Sequence, residues 1–133
     1  MRHNPHGPAG CGFVLYEMDQ YCNDGKGDLI DHGQHYLGYN ISNNQAEYQG
    51  LIDGLECIAD NYSCDGLYIR GDSEIVINQV KGVYAVRSPN IIPYYNDLMC
   101  ELGNLEIEFY SAQHIPRHEN CEADELANRA IDE

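Results

Sequence analysis

Apolar and polar positions follow two different periods along this chain. Gly12-Phe13-Val14-Leu15-Tyr16-Glu17-Met18 is β-prone, and a second extended run over residues 29–41 is rich in Tyr and broken by Gly33 and Gly38. Asn23-Asp24-Gly25-Lys26-Gly27 between them has turn chemistry, so the two runs predict an antiparallel hairpin. Residues 1–10 hold two prolines and two glycines without apolar alternation and read as a turn or loop. From Ser42 the period lengthens to that of a helix, with an inward stripe of Tyr48, Leu51, Ile52, Leu55, Ile58 and Ala59. Asn44 and Glu47 near its start have capping-box spacing.

The second half of the chain repeats the alternation of types. Residues 66–70 predict a short strand running into Gly71-Asp72-Ser73, followed by a helix over 74–80 that Gly82 stops. Pro93 suits the first turn of a helix reaching about Leu102, ended by Gly103-Asn104. Leu105, Ile107 and Phe109 then alternate with Glu106, Glu108 and Tyr110, as in a strand with one buried face. Finally Ala123, Leu126, Ala127, Ala130 and Ile131 mark one face of a terminal helix with Asn120 at the N-cap position, and His114 lies upstream in a loop. The predicted order is β-β-α-β-α-α-β-α in one α/β domain spanning residues 1–133.

Charge changes this picture more than composition does. A hydrophobic fraction of 43% is ordinary, and no apolar run is long enough for a membrane helix, so no membrane insertion is expected. The 22 acids against 7 Lys plus Arg give a net charge of −15, which disfavours tight non-specific binding to phosphate backbones and favours cation binding, a basic protein partner or a salt-rich setting. The six cysteines contain no C-x-x-C pair and match no zinc spacing, and His3, His6, His32, His35 and His118 show no ligand spacing either. Free thiols in an intracellular, reducing compartment are the expectation.

Three acids occupy comparable positions: Glu47 in the first turn of a helix, Asp72 at the carboxyl end of a strand, and Asp124 in the first turn of the last helix. Sites in open α/β sheets form at the carboxyl ends of strands, where these residues would converge. Carboxylates gathered without matching cations call for a divalent ion, and all-oxygen ligands favour Mg²⁺ or Mn²⁺. Two ions about 3.5–4 Å apart would clamp the attacking and leaving oxygens of a phosphodiester. Each acid also has a structural explanation: Glu47 as capping partner of Asn44, Asp72 as cap of the next helix, Asp124 as complement to a helix dipole.

The motifs that carry a family resemblance are Asn4-Pro5-His6-Gly7-Pro8-Ala9-Gly10-Cys11-Gly12, Ser42-Asn43-Asn44-Gln45-Ala46-Glu47-Tyr48, Gly71-Asp72-Ser73-Glu74, Gln79-Val80-Lys81-Gly82-Val83-Tyr84 and the stretch over residues 114–127. In this order they resemble type 1 ribonuclease H domains of the plant and archaeal-like branch, over nearly the whole chain. The resemblance implies a mixed sheet flanked by helices and a metal-dependent endonuclease that cuts the RNA strand of RNA–DNA hybrids with two Mg²⁺ ions and four carboxylates. Three of the four map onto Glu47, Asp72 and Asp124, which are the implied metal ligands, and the loop histidine that assists proton transfer or product release maps onto His114. Asn43 and Asn44 match positions that contact the hybrid, including ribose hydroxyls. Asn4 belongs to the first motif and is counted with them. Ser42, Lys81 and Arg87 are candidates for phosphate contact and serve equally well as solvated surface residues.

The departure from the family pattern lies at the start. The family's first carboxylate sits on a strand before the Asn-Pro-Gly segment, whereas Met1 stands only three residues before Asn4. Asp19, Asp24, Asp28 and Asp31 belong to the hairpin and its turn, so none replaces it. The expectation is a sheet without its central strand and a two-metal site without its first acid. A longer natural chain, a strand from a protein partner, a swapped copy of this chain or a rearranged sheet would resolve the gap. Failing that, the module would be inactive and serve as a structural or interaction subunit.

Overall fold

The computed structural model describes residues 8–18 and 26–132. Strands β1 (Pro8–Met18) and β2 (Lys26–Tyr39) pair antiparallel, as the alternation predicts, but β1 begins at Pro8, inside the segment that reads as a loop. Pro8 lacks an N–H for the ladder and is tolerated as the first residue of a strand. The predicted hairpin turn lies outside the described residues.

Helix α1 (Asn43–Asn61) starts just beyond Asn40, whose φ of 62° turns the chain out of β2. Its capping box is Ser42 with Gln45, not Asn44 with Glu47: the Ser42 hydroxyl accepts the Gln45 N–H at 3.1 Å and the Gln45 side chain accepts the Ser42 N–H at 2.8 Å. Of the expected stripe, Tyr48, Ile52, Leu55 and Ile58 are buried, Leu51 is half-buried and Ala59 is exposed.

Strand β3 (Gly66–Gly71) leads to α2 (Glu74–Val80), which ends before Gly82 at φ 82°, and then to α3 (Ile92–Asn104). Strand β4 (Phe109–His114) runs parallel to β3, and a 3₁₀ turn (Arg117–Asn120) feeds α4 (Cys121–Asp132). The order is therefore the predicted one, but β4 lies later than the alternation suggests. Leu105 and Ile107 pack on the core from the segment before it. Register explains why Phe109 is 48% exposed rather than buried: Ala112 sits opposite buried Ile69, so Phe109, three residues earlier, falls on the other face. There it meets Tyr68 edge-on, with ring centroids 5.7 Å apart.

The core joins Tyr48, Ile52 and Leu55 of α1 to Ile69, Val76, Ile77 and Leu98. Tyr48 keeps its hydroxyl satisfied inside by donating to Gln79 Oε1 at 2.6 Å. Among the described residues the strands form two separate pairs, β1–β2 and β3–β4, with no ladder between β1 and β3. Two cavities, of about 120 and 740 Å³, run between these strands. Leu15 and Leu67 line both, and Ile58 lies beneath them. On its other side β1 carries α4 at very close range: a Cβ at Gly12 would stand 2.6 Å from both Ala123 O and Leu126 Cβ, so only glycine permits this contact. No helix among the described residues is long and apolar enough to cross a membrane.

Candidate active site

Gly71 and His114, the last residues of β3 and β4, are paired, and the N–H of Ile115 donates to Gly71 O at 2.9 Å. The parallel register thus brings both carboxyl ends to one corner, which the first turns of α1 and α4 also reach. Asp72 follows immediately and is half-buried. It does not cap α2: Ser73 does, accepting the Val76 N–H at 3.4 Å while donating to Asn44 Oδ1 at 2.9 Å. The structural explanations offered for Glu47 and Asp72 both fail, because serines hold the two caps.

Glu47 is 9% exposed and receives the backbone N–H of Asp72. Burial, followed by the charge of Asp72, pushes its carboxyl up to about 7, against the lowering influence of that N–H and of Arg117. A Cβ on Gly71 would collide with Glu47 Oε1, so the glycine makes room for this carboxylate. Asp124 lies in the first turn of α4, as predicted, with Oδ1 3.9 Å from Arg117 Nη2. Asn120 donates from Nδ2 to Asp72 Oδ2 at 3.1 Å, tying the start of α4 to the end of β3. His114 is the last residue of β4 rather than a loop residue, and its Nε2 is 3.2 Å from Asp72 O. Three acids from three elements therefore border one place, with Arg117 acting on both Glu47 and Asp124.

Sequence reasoning misses Arg117 and Asn120 as site residues. Its only role for Asn120 is an N-cap, yet Asn120 lies in the 3₁₀ turn with its amide on Asp72. A carboxylate that burial and a neighbouring acid drive toward protonation has the chemistry a hard divalent cation neutralises, so Glu47, Asp72 and Asp124 supply suitable oxygen donors, although their oxygens do not all lie within 4.8 Å of one another and would have to draw together around an ion.

Of the candidate nucleic-acid residues, Ser42, Asn43 and Asn44 lie at the start of α1, beside this corner. Ser42 caps α1, Asn44 bonds Ser73, and Asn43 Oδ1 is buried with no hydrogen-bond partner among the described residues. Gln45 Nε2 donates to Asn90 O at 3.3 Å, drawing the connection after α2 over the start of α1. Lys81 and Arg87 are both exposed, at the end of α2 and within that connection. Asn4 lies outside the described residues.

Residues 3–130 match the reverse transcriptase-like family. The chain is 36% identical over 134 residues to a ribonuclease HI of Halobacterium salinarum, covering 99% of this chain and 60% of the relative. It is 31% identical to a bifunctional protein of Mycobacterium tuberculosis, of which it spans 33%. It thus spans less than two thirds of these relatives. The crystal structure of RNase H1 from Halobacterium salinarum superposes with a TM-score of 0.82 at 33% identity, covering 99% of this chain and 92% of that one. LC11-RNase H1, solved in complex with an RNA/DNA hybrid, gives a TM-score of 0.82 at 33% identity, with 99% and 91% covered.

Proposed function

Because the chain belongs to the reverse transcriptase-like family and is a homologue of RNase H1, we propose that it hydrolyses the RNA strand of RNA–DNA hybrids. The observation that carries the reading is the meeting of Glu47, Asp72 and Asp124 around Arg117 and Asn120, independent of any capping role for the first two. In this reading the three carboxylates hold divalent metal, Mg²⁺ or Mn²⁺, which supplies an activated water and neutralises the leaving oxygen. Glu47 gives up its proton when it takes part. Asn120 keeps Asp72 turned toward α4, and Arg117 yields its place beside Asp124. His114, at the rim, takes or delivers a proton to the departing strand. Asn43 and Asn44 receive the RNA strand, with Ser42, Lys81 and Arg87 at its phosphates; Asn4 is a further candidate for contact with the hybrid.

The gap between β1 and β3 bears on completeness. Glu47 and Asn120 line the smaller cavity, so the slot reaches the Glu47 side of the corner. We read it as the seat of one further strand, whose arrival would complete the sheet and bring the family's first carboxylate beside Glu47. The same slot favours a second reading: without that strand the protein is an inactive ribonuclease H-like module that docks through this cleft.

The test is cleavage of an RNA–DNA hybrid at millimolar Mg²⁺ and Mn²⁺, with single-stranded RNA and double-stranded DNA as controls and Asp72→Asn as the negative. Cleavage by the chain alone, or only after an Asp-bearing strand is fused ahead of Asn4, supports the first reading in its simple or strand-dependent form. No cleavage in either case leaves the docking module.

A further inference from the structure

A second cluster of metal-ligating side chains lies away from the carboxylate corner, on the face of the hairpin that α1 covers. Cys11 and His35 are direct partners in the β1–β2 register, so both project from the same face of the hairpin. Asp53 of α1 comes down onto them: its Oδ2 is 3.6 Å from Cys11 Sγ and 2.9 Å from His35 Nδ1. One donor atom from each of the three residues lies within 4.8 Å of the other two. Gln49, one helical turn earlier, donates from Nε2 to Asp53 Oδ1 at 2.8 Å, which fixes the carboxylate with Oδ2 toward the thiol and the imidazole.

We propose that Cys11, His35 and Asp53 form a zinc site, with water completing the coordination sphere on the solvent side. A thiolate, an imidazole and a carboxylate make a mixed S, N, O set that suits a borderline-soft ion and not Mg²⁺. At ordinary zinc bond lengths a tetrahedral ion would hold its S and O ligands about 3.6 Å apart and its N and O ligands about 3.4 Å apart. The first matches the separation of Cys11 and Asp53, and the second asks His35 to withdraw by roughly half an ångström from Asp53. His35 has that freedom, since its side chain is 49% exposed. The exposure also leaves one side of the site open to water.

The proton balance is simple. Zn²⁺ displaces the thiol proton of Cys11, which leaves to solvent, and the Nδ1 proton of His35 is replaced by one on Nε2. The bound cation then faces one thiolate and one carboxylate, so the site becomes neutral. In the metal-free protein burial, and then Asp53, keep the thiol protonated; binding therefore releases one proton per zinc.

The molecule contains its own control. Cys57 forms a similar thiol–carboxylate pair, with Sγ 3.2 Å from Asp31 Oδ2, but there the other partners of the carboxylate are the hydroxyl of Tyr62 at 3.1 Å and the backbone N–H of His32 at 2.8 Å, hydrogen-bond donors and not an imidazole nitrogen. This pair should not hold zinc.

The experiment uses the full chain, stripped with chelator and titrated with Zn²⁺, and with Co²⁺ as a spectroscopic probe. Expected are one tightly held zinc per chain after desalting, and a thiolate-to-cobalt charge-transfer band with intense tetrahedral d–d bands. Cys11→Ser, His35→Gln and Asp53→Asn should each weaken zinc binding by at least about tenfold and remove or shift the bands, while Cys57→Ser leaves both unchanged. Ions held at Glu47, Asp72 and Asp124 give no sulfur charge-transfer band, so the readout separates the two sites. If Cys11→Ser does not fold, His35→Gln decides, because its ring is largely outside the core. Absence of the charge-transfer band in the wild type, or equal zinc retention by wild type and His35→Gln, would overturn the site.

Discussion

Replacing Glu47 by glutamine isolates the electrostatics of the carboxylate corner before any chemistry is measured. The Glu47 carboxyl is raised from its ordinary 4.5 to about 7, first by burial and then by Asp72. The folded state therefore binds this proton more tightly than the unfolded chain does. Well below pH 4.5 the group is protonated in both states and adds no penalty; as pH rises through the window to about 7, stability is lost. At about 1.4 kcal/mol per pH unit, the full loss is about 3 kcal/mol. The amide in Glu47→Gln cannot ionise, so the variant lacks this contribution at every pH.

Urea unfolding in the presence of chelator, at a series of pH values from about 4.5 to 8, measures it, with the wild-type minus Glu47→Gln difference cancelling every other titrating group. That difference should fall by about 3 kcal/mol across the series, roughly 10 °C in melting temperature for a domain of this size. Millimolar Mg²⁺ should restore the wild type at the alkaline end and leave the variant nearly unmoved, because the cation takes over from the proton. Parallel curves, with a difference constant to within about 1 kcal/mol, would mean that water or Arg117 already satisfies Glu47 and that this corner has no electrostatic need of a cation.

Asp72→Asn should abolish hybrid cleavage and the Mg²⁺-induced rise in melting temperature together; a variant that keeps both places the metal elsewhere. Gly71→Ala should displace the Glu47 carboxylate and press on Ile77, costing about 1–3 kcal/mol in a denaturant titration and weakening Mg²⁺ binding. Tyr48→Phe leaves Gln79 Oε1 buried without its donor and should cost about 1–3 kcal/mol in the same titration. Hybrid affinity should be weak and fall steeply with salt, and Lys81→Ala with Arg87→Ala should reduce the logarithmic salt slope by about one for each phosphate that is no longer neutralised; a dissociation constant indifferent to salt would refute both roles.

The order of elements is legible in the sequence because amphipathic periods are local: the stripes of α1 and α4 are nearly the buried residues observed. What fails depends on non-local partners. The position of β4 is set by its parallel register with β3, which no alternation within residues 105–110 encodes. Capping fails for a related reason. Asn44–Glu47 and Ser42–Gln45 have the same spacing and compatible chemistry, and the turn at Asn40 selects between them by fixing where the helix begins. The carboxylates can be named from the sequence, but Arg117 and Asn120 become part of the corner only when the 3₁₀ turn folds against Asp72. Cys11, His35 and Asp53 stand far apart along the chain, at spacings that belong to no local zinc motif. Only the hairpin register and the approach of α1 bring them together.

The slot and the carboxylate corner share walls, and this links them energetically. Leu15, Leu67 and Ile69 flank the smaller cavity while Glu47 and Asn120 lie along it, and Asn120 also borders the larger one. A strand seated between β1 and β3 would pair backbone groups on both edges and remove water from the side of Glu47 that the cavity now exposes. That further desolvation would disfavour the ionised carboxylate unless a cation is bound. On the proposed reading, strand and metal therefore stabilise one another, and linkage makes the effect reciprocal: whatever factor the strand adds to Mg²⁺ affinity, Mg²⁺ adds to strand affinity. Strand affinity that is the same in Mg²⁺ and in chelator would separate the two and leave the cleft as a docking groove with no part in assembling the site.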